Sequence, residues 1–155
     1  MKLALFEPDI PQNTGNMIRL TACLDVEIHI IDPCGFPFSV KAMRRAGMDY
    51  VAHARIVRHN DWEAFQMWRN DAGSRLILLS SKATSTYTDF QYQPDDILLM
   101  GRESAGVPAH VSAAADALLT IPMAEGLRSL NVSSAAAMVV GEALRQTNSF
   151  PTTGT

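Results

Sequence analysis

Leu98-Leu99-Met100-Gly101-Arg102-Glu103-Ser104-Ala105-Gly106-Val107-Pro108 is the stretch on which the reading of this chain turns. Ile97 to Met100 is a solid apolar run without polar alternation, which suits a strand buried on both faces of a parallel sheet. The glycines at 101 and 106 then permit a tight turn and close approach of the backbone to a ligand. Pro108 is suited to the opening of a helix. A P-loop needs Lys and then Ser or Thr after its second glycine, whereas Val107 and Pro108 stand there, and a GxGxxG dinucleotide fingerprint is absent from the whole chain. A plain strand-to-helix turn explains the same spacing, so the stretch alone does not separate a ligand loop from a connection.

Outward from it, similar patterns recur. Leu3 to Phe6, Val26 to Ile31, Ala54 to Val57, Leu76 to Leu79 and Leu118 to Ile121 predict further strands. Between them, Met17 to Leu24, Val40 to Ala46 (closed by Gly47), a segment from an Asp61 cap through Trp68, and Leu130 to Gln146 predict helices. Asn13 to Asn16 is rich in helix-capping residues, and Ser129 or Asn131 can cap the last helix. The alternation predicts an α/β fold, a mostly parallel sheet with helices on both faces. Residues 1–148 are expected to form one domain and residues 149–155 a polar, frayed tail. Ligands in such sheets bind beyond the carboxyl ends of the strands, so the loops after Leu79, Met100 and Ile121 are the places to search. A side chain at Gly101 is expected to fill space that a ligand needs.

Composition narrows the function. The 155 residues are 47% hydrophobic and 19% charged, enough for a core and too few charges for a disordered chain. No run of about 18 apolar residues suggests a membrane span, and the first residues read as a strand rather than a signal peptide. Cys23 and Cys34 lack metal-ligand or paired spacing, and the histidines His29, His53, His59 and His110 show none either, so no metal is expected and a reducing cytoplasm is the simplest compartment. His29, within a strand, reads as a core histidine. The net charge of −3 means that any nucleic-acid contact must be a local basic patch. Lys41, Arg44 and Arg45 share one helix face and are candidates for phosphate contact, with Arg58 and His59 as additions; a solvated helix face is the competing explanation. Arg19, one turn into the expected first helix, opposes the helix dipole, which suggests an anionic partner; pairing with a carboxylate such as Glu7 is the alternative.

Three segments, taken in order, resemble the three motifs of the SPOUT methyltransferases: Asn13-Thr14-Gly15-Asn16-Met17-Ile18-Arg19, Leu98 through Pro108, and Ile121-Pro122-Met123 with Ser129-Leu130-Asn131-Val132-Ser133. Each is weak alone, and the ordered set spans nearly the whole chain. The short length, His29-Ile30-Ile31, Arg44-Arg45-Ala46-Gly47 and Asp49-Tyr50 resemble one branch, whose members methylate the 2′-oxygen of the wobble ribose, cytidine or uridine 34, in leucine tRNAs.

The resemblance implies a deep trefoil knot in the C-terminal half and a homodimer whose active sites use both chains. It implies S-adenosyl-L-methionine (SAM) as methyl donor, bound by Leu79, Gly101, Glu103, Ile121, Ser129 and Leu130, largely through backbone groups. Arg19 matches the catalytic arginine, with Asn13, Glu103 and Asn131 in supporting roles; Arg19, Lys41, Arg44 and Arg45 are the expected contacts to the tRNA anticodon loop. Two positions depart from the family pattern: Arg102, where many relatives carry a small residue or proline, and Gly141, where a bulky residue is expected. Two rivals stay open, an RNA-binding domain of this fold without catalysis and a different nucleotide-dependent α/β enzyme such as an oxidoreductase.

Overall fold

The computed structural model describes residues 1–45 and 49–153, without the side chains of Arg44 and Arg45. Seven strands, β1 (Lys2–Phe6), β2 (Glu27–Ile31), β3 (Ile56–His59), β4 (Leu76–Leu79), β5 (Ser85–Thr86), β6 (Ile97–Met100) and β7 (Ala117–Thr120), form one sheet in the order β3-β2-β1-β6-β4-β7-β5. Every pair is parallel. Five α-helices connect them: α1 (Pro11–Cys23), α2 (Val40–Arg45), α3 (Trp62–Ala72), α4 (Ala109–Ala114) and α5 (Val132–Thr147), with a 3-10 turn over Asp49–Ala52. The α/β expectation therefore holds. β5, two polar residues inside the segment from Ser81 to Pro94, is the strand that apolar patterning passes over, because it lies at the sheet edge and buries little.

Alternate residues of each strand feed two cores. Leu3, Leu5, Ile28, Ile30, Leu98 and Met100 pack beneath α1 and α5, against Met17, Ile18, Val139 and Val140. Ala4, Phe6, Ile31, Leu76, Leu78, Ile97 and Leu99 pack beneath α3 and α4, against Trp62, Phe65 and Val111. This double burial is why β4 and β6 read as unbroken apolar runs. Truncating a wholly buried side chain here, such as Phe65 to Ala, costs about 3–5 kcal/mol.

Helix boundaries follow local chemistry. Asp61 caps α3 by accepting from the Ala64 N–H at 2.8 Å, and Gly73 closes it at φ +68°. Asn131, rather than Ser129, caps α5, accepting from the Ser133 N–H at 2.9 Å. α1 departs from expectation: it starts at Pro11, not Met17, with Ile10 before it and no side-chain cap. Pro11 has no N–H to satisfy and its ring presets the helical φ, so proline replaces the cap. Asn13 to Asn16 consequently lie inside the helix, and Arg19 is about 12 Å along it rather than in its first turn. Arg19 therefore stands clear of the positive end of the helix dipole.

The amino edge of the sheet is closed by ionic struts. Buried Arg69 pairs with Asp116 at 2.6 Å and donates to the carbonyls of Ser74 and Ala114, while Asp116 also accepts from the Leu76 N–H. Buried Asp96 is gripped by Arg75 through two bonds of 2.7 Å. These groups are held at the strand starts, away from the carboxyl edge.

His29 is wholly buried, as a core histidine should be. Its Nδ1 lies 2.8 Å from His59 Nε2, and its Nε2 lies 2.7 Å from Glu27 Oε1. His59 is therefore buried in this pair, and Arg58 is bound to Asp32 at 2.6 and 3.0 Å, so neither extends a basic surface. Burial holds both imidazoles below the ordinary histidine range, with Glu27 partly opposing this at His29. The neutral pair is thus the native form, and below about pH 6.5 the unfolded chain binds protons first. Stability is full above that value and is lost as pH falls from it toward the depressed folded-state values. Thermal melts from about pH 7 to about pH 5 should show a falling Tm, with a shallower fall in His59→Gln; equal slopes would place the acid sensitivity elsewhere.

Candidate functional site

Because all strands run the same way, the loops after β4, β6 and β7 meet at one edge and enclose a cleft of about 900 Å³. Leu79, Gly101, Glu103, Ile121, Ser129 and Leu130 all line it, as do Asn13 and Asn131. Ser80, Ser81 and Lys82 add a further wall; the expectation that ligands sit beyond strand ends, and the length of the Ser81 to Pro94 connection, which suits a functional loop, both point there, though neither names these residues.

The glycine turn is closed by its own backbone. Arg102 N–H donates to the Gly106 carbonyl at 3.0 Å, and Gly106 N–H donates back at 2.9 Å. A Cβ on Gly101 would stand 2.9 Å from the Gly106 carbonyl carbon and 3.0 Å from its Cα. Glycine is therefore demanded by the turn folding onto itself, whatever space a ligand also needs beside it. Gly106 has φ +63°, which L side chains rarely adopt. Arg102, the unusual residue of the turn, pairs with Glu7 at 2.6 Å and ties the end of β1 to it. Glu7 is thus not the partner of Arg19.

Polar contacts join the first segment to the other two. Asn131 Nδ2 donates to Asn13 Oδ1 at 3.0 Å, and Asn13 is buried. Asp9 N–H donates to Glu103 Oε2 at 3.1 Å, and Ser104 Oγ donates to Asp9 Oδ2. Burial, and then the nearby Asp9 carboxyl, push Glu103 above the usual carboxylate range. Hydrogen bonding with Glu103, and next with Ser104, holds Asp9 below it. Asp9 escaped the sequence reading because a carboxylate beside two prolines looks like a solvated loop.

Arg19 does not line the cleft. It is exposed on α1 and borders a separate, shallow groove with Asn16, Cys23, Ser133, Ser134 and Ala137. Its guanidinium lies 4.5 Å from the centroid of the Tyr50 ring. Lys41 is exposed on α2 and borders neither cavity. The side chains of Arg44 and Arg45 lie outside the described part. A Cβ on Gly141 would meet nothing within 4 Å, so its smallness is not required by the fold of this chain. Among the described residues no cluster of His, Cys, Asp or Glu is arranged to hold a metal ion, and no helix is long and apolar enough to cross a membrane.

The lining is part apolar and part acidic, with little free positive charge to receive a polyphosphate. Leu79, Met100, Ile121 and Leu130 offer apolar walls, and Glu103 puts a carboxyl among them. The lining cations are Lys82 and Arg102, and Arg102 is already paired.

Comparison with known proteins agrees with this chemistry. A profile of the SpoU rRNA methylase family matches residues 1–141. A tRNA (cytidine(34)-2′-O)-methyltransferase of Beijerinckia indica is 60% identical over 144 residues, 93% of this chain and 90% of that protein. A solved structure described as giving insights into the 2-OH methylation of C/U34 on tRNA superposes with a TM-score of 0.86 at 36% identity, covering 94% of each chain. An AdoMet-bound rRNA methyltransferase from Sinorhizobium meliloti superposes with a TM-score of 0.82 at 31% identity, over 93% of this chain and 55% of that one.

Gly101→Ala should open the turn and lower affinity for S-adenosylhomocysteine (SAH) by tenfold or more, at a stability cost of about 1–3 kcal/mol. Calorimetric titration of the folded variant is the check; unchanged affinity would show that the turn does not shape the cleft.

Proposed function

The chain belongs to the SpoU rRNA methylase family, and from that membership we propose that it transfers the methyl group of SAM to the ribose 2′-oxygen of the wobble nucleotide, cytidine or uridine 34, of tRNA. Leucine tRNAs are the expected substrates. The observation that carries the reading is the convergence of three distant segments, around Asn13, Gly101 and Asn131, on one cleft at the carboxyl edge of the sheet. SAM is the donor that fits this lining, with Leu79, Gly101, Glu103, Ile121, Ser129 and Leu130 as its contacts.

Bound SAM supplies an electrophilic methyl on a sulfonium, a good leaving group that needs no metal. The protein's task is to align the ribose oxygen with that methyl and assist departure of the hydroxyl proton. The guanidinium of Arg19 offers only hydrogen-bond donors and no acceptor. Its role is to grip a phosphate beside the target ribose and to stabilise negative charge developing on the 2′-oxygen, with phosphate or water receiving the proton. Asn13 and Asn131 tie the first and third segments together, and Glu103 supports the turn.

Arg19 stands outside its own chain's cleft, which supports a homodimer in which each cleft is completed by Arg19 of a second copy. The small residues of α5 beside the Arg19 groove, and exposed Met138, suit close packing there. A deep trefoil knot in the C-terminal half belongs to the same reading, as the resemblance of the three motifs implies. We assign residues 1–148 to one domain, residues 149–155 to a tail, and the protein to the cytoplasm, where tRNA is modified.

The direct test is nucleoside mass spectrometry of unmodified leucine tRNA after incubation with protein and SAM. A 2′-O-methyl group at position 34 is expected, and no ribose methylation would overturn the reading. Arg19→Ala should slow single-turnover methylation by roughly 100- to 1,000-fold while SAH affinity is kept; a rate within a few-fold of the parent would show that Arg19 is misassigned. Neutralising Lys41, Arg44 and Arg45 together should lower the salt dependence of tRNA binding by up to about 0.7–0.9 log unit per lost phosphate contact, and an unchanged slope would return them to a solvated face.

A further inference from the structure

Two carboxyl oxygens at the cleft have no partner. Asp9 Oδ1 and Glu103 Oε1 are both buried, and neither accepts a hydrogen bond. The other oxygen of each is satisfied, Asp9 Oδ2 by the Ser104 hydroxyl and Glu103 Oε2 by the Asp9 N–H. The Asp9 N–H bond to Glu103 Oε2, and the bond from the hydroxyl of the next residue, Ser104, to Asp9 Oδ2, bring the two carboxyl groups side by side. If both were ionised, two like charges would adjoin with two buried acceptors unsatisfied, an arrangement that proteins avoid. One proton between them removes the repulsion and satisfies both oxygens.

No neighbour offers the alternative of a counter-charge. On β1 and the turn after β6, Glu7 and Arg102 are already paired with each other at 2.6 Å. On α1 and at the start of α5, the facing groups are the neutral amides Asn13 and Asn131. On the loop after β2, Gly35 packs so closely that a Cβ there would lie 2.6 Å from Asp9 Cβ; Asp32 of that loop is bound to Arg58 of β3, and Cys34 donates to Asp32.

We propose that Asp9 is a positioning residue for Glu103: the two carboxyls share a single proton and act as one monoanion, clasping the loop between β1 and α1 to the glycine turn and fixing Glu103 in the cleft wall. The elevated titration of Glu103 and the depressed titration of Asp9 agree with a proton carried mainly by Glu103. Interacting carboxyls of this kind titrate as a pair. Loss of the shared proton as pH rises leaves two adjacent charges, loosens the clasp and moves Glu103. The inference rests on the reading of the cleft as the SAM site.

The first measurement needs no ligand. In carbon-13 NMR titrations of the free protein, one carboxyl should keep its proton well above the ordinary glutamate range, and that late titration should move down in Asp9→Asn. If every wild-type carboxyl finishes titrating in the ordinary range, the proposal is overturned. The second measurement is SAH affinity from about pH 5.5 to about pH 8.5. Wild-type affinity should fall above the late titration, by up to about tenfold per pH unit. Asp9→Asn keeps an acceptor for Ser104 and offers Glu103 a permanent N–H, so its affinity should match wild type at low pH and lack that fall. The SAH amine titrates equally in both proteins and cancels in the comparison. A merely structural Asp9 would change Tm and leave the slope of the variant like that of wild type, which would overturn the proposal. Absence of SAH binding at every pH, with the late titration present, would instead sink the reading of the cleft.

Discussion

The parallel ladder is the constraint on which the rest depends. β6 lies between β1 and β4, and their shared register runs from Lys2, Ile97 and Leu76 at one end to Leu5, Met100 and Leu79 at the other. Strands in one direction leave all their carboxyl ends on one side, so the loops that follow them meet without any further device. The amino side is sealed by Arg69, Arg75, Asp96 and Asp116, where charges are buried only in pairs. Rigidity is thus concentrated at one edge and ligand access at the other. Gly101 is the point at which the central strand converts into site, and the mutual hydrogen bonds of Arg102 and Gly106 let that conversion happen within one turn.

Much of this was legible in the chain. Apolar runs such as Leu76 to Leu79 announce strands because nothing polar can occupy either face. Asp61 and Asn131 announce helix starts because a side-chain oxygen beside free N–H groups has a recognisable spacing. The three loops of the cleft were legible because ligands in parallel sheets sit beyond the strand ends, while the individual lining residues came from the family resemblance. What was not legible depends on partners distant in sequence. Arg58 and Asp32 are 26 residues apart, and no local pattern reveals that one neutralises the other. His59 looked like part of a basic surface until β2 and β3 brought it onto His29. Asp9 and Glu103 are 94 residues apart, and only the meeting of two loops makes them a pair. The start of α1 was misjudged because proline at the first helical position gives no side-chain capping signal.

The charge pattern reconciles an acidic chain with a polyanionic substrate. Arg55, Arg58, Arg69, Arg75, Arg102 and Arg145 each hold a carboxylate. Among the described residues Lys2, Arg19, Lys41, Lys82 and Arg128 are left without one. Net charge therefore does not describe what the surface offers locally, because cations such as Arg19 and Lys41 stand exposed with no carboxylate paired to them. A chain of this kind attracts RNA by position rather than by overall field, and discriminates accordingly against weakly placed contacts.

On the proposed reading of Arg19 as an RNA contact, its stacking on Tyr50 has a consequence for the timing of recognition. A free arginine side chain on a helix surface samples many rotamers, and fixing it on contact with RNA costs entropy at that moment. Here the ring of Tyr50, 4.5 Å away and supplied by a separate 3-10 turn, already restricts the guanidinium before any substrate arrives. The loss of freedom is met when the chain folds. An anion that matches the waiting orientation binds a preorganised group, whereas one that requires the guanidinium to leave the ring must also give up the stacking energy. The tyrosine is thus a filter on geometry that never has to touch the substrate itself.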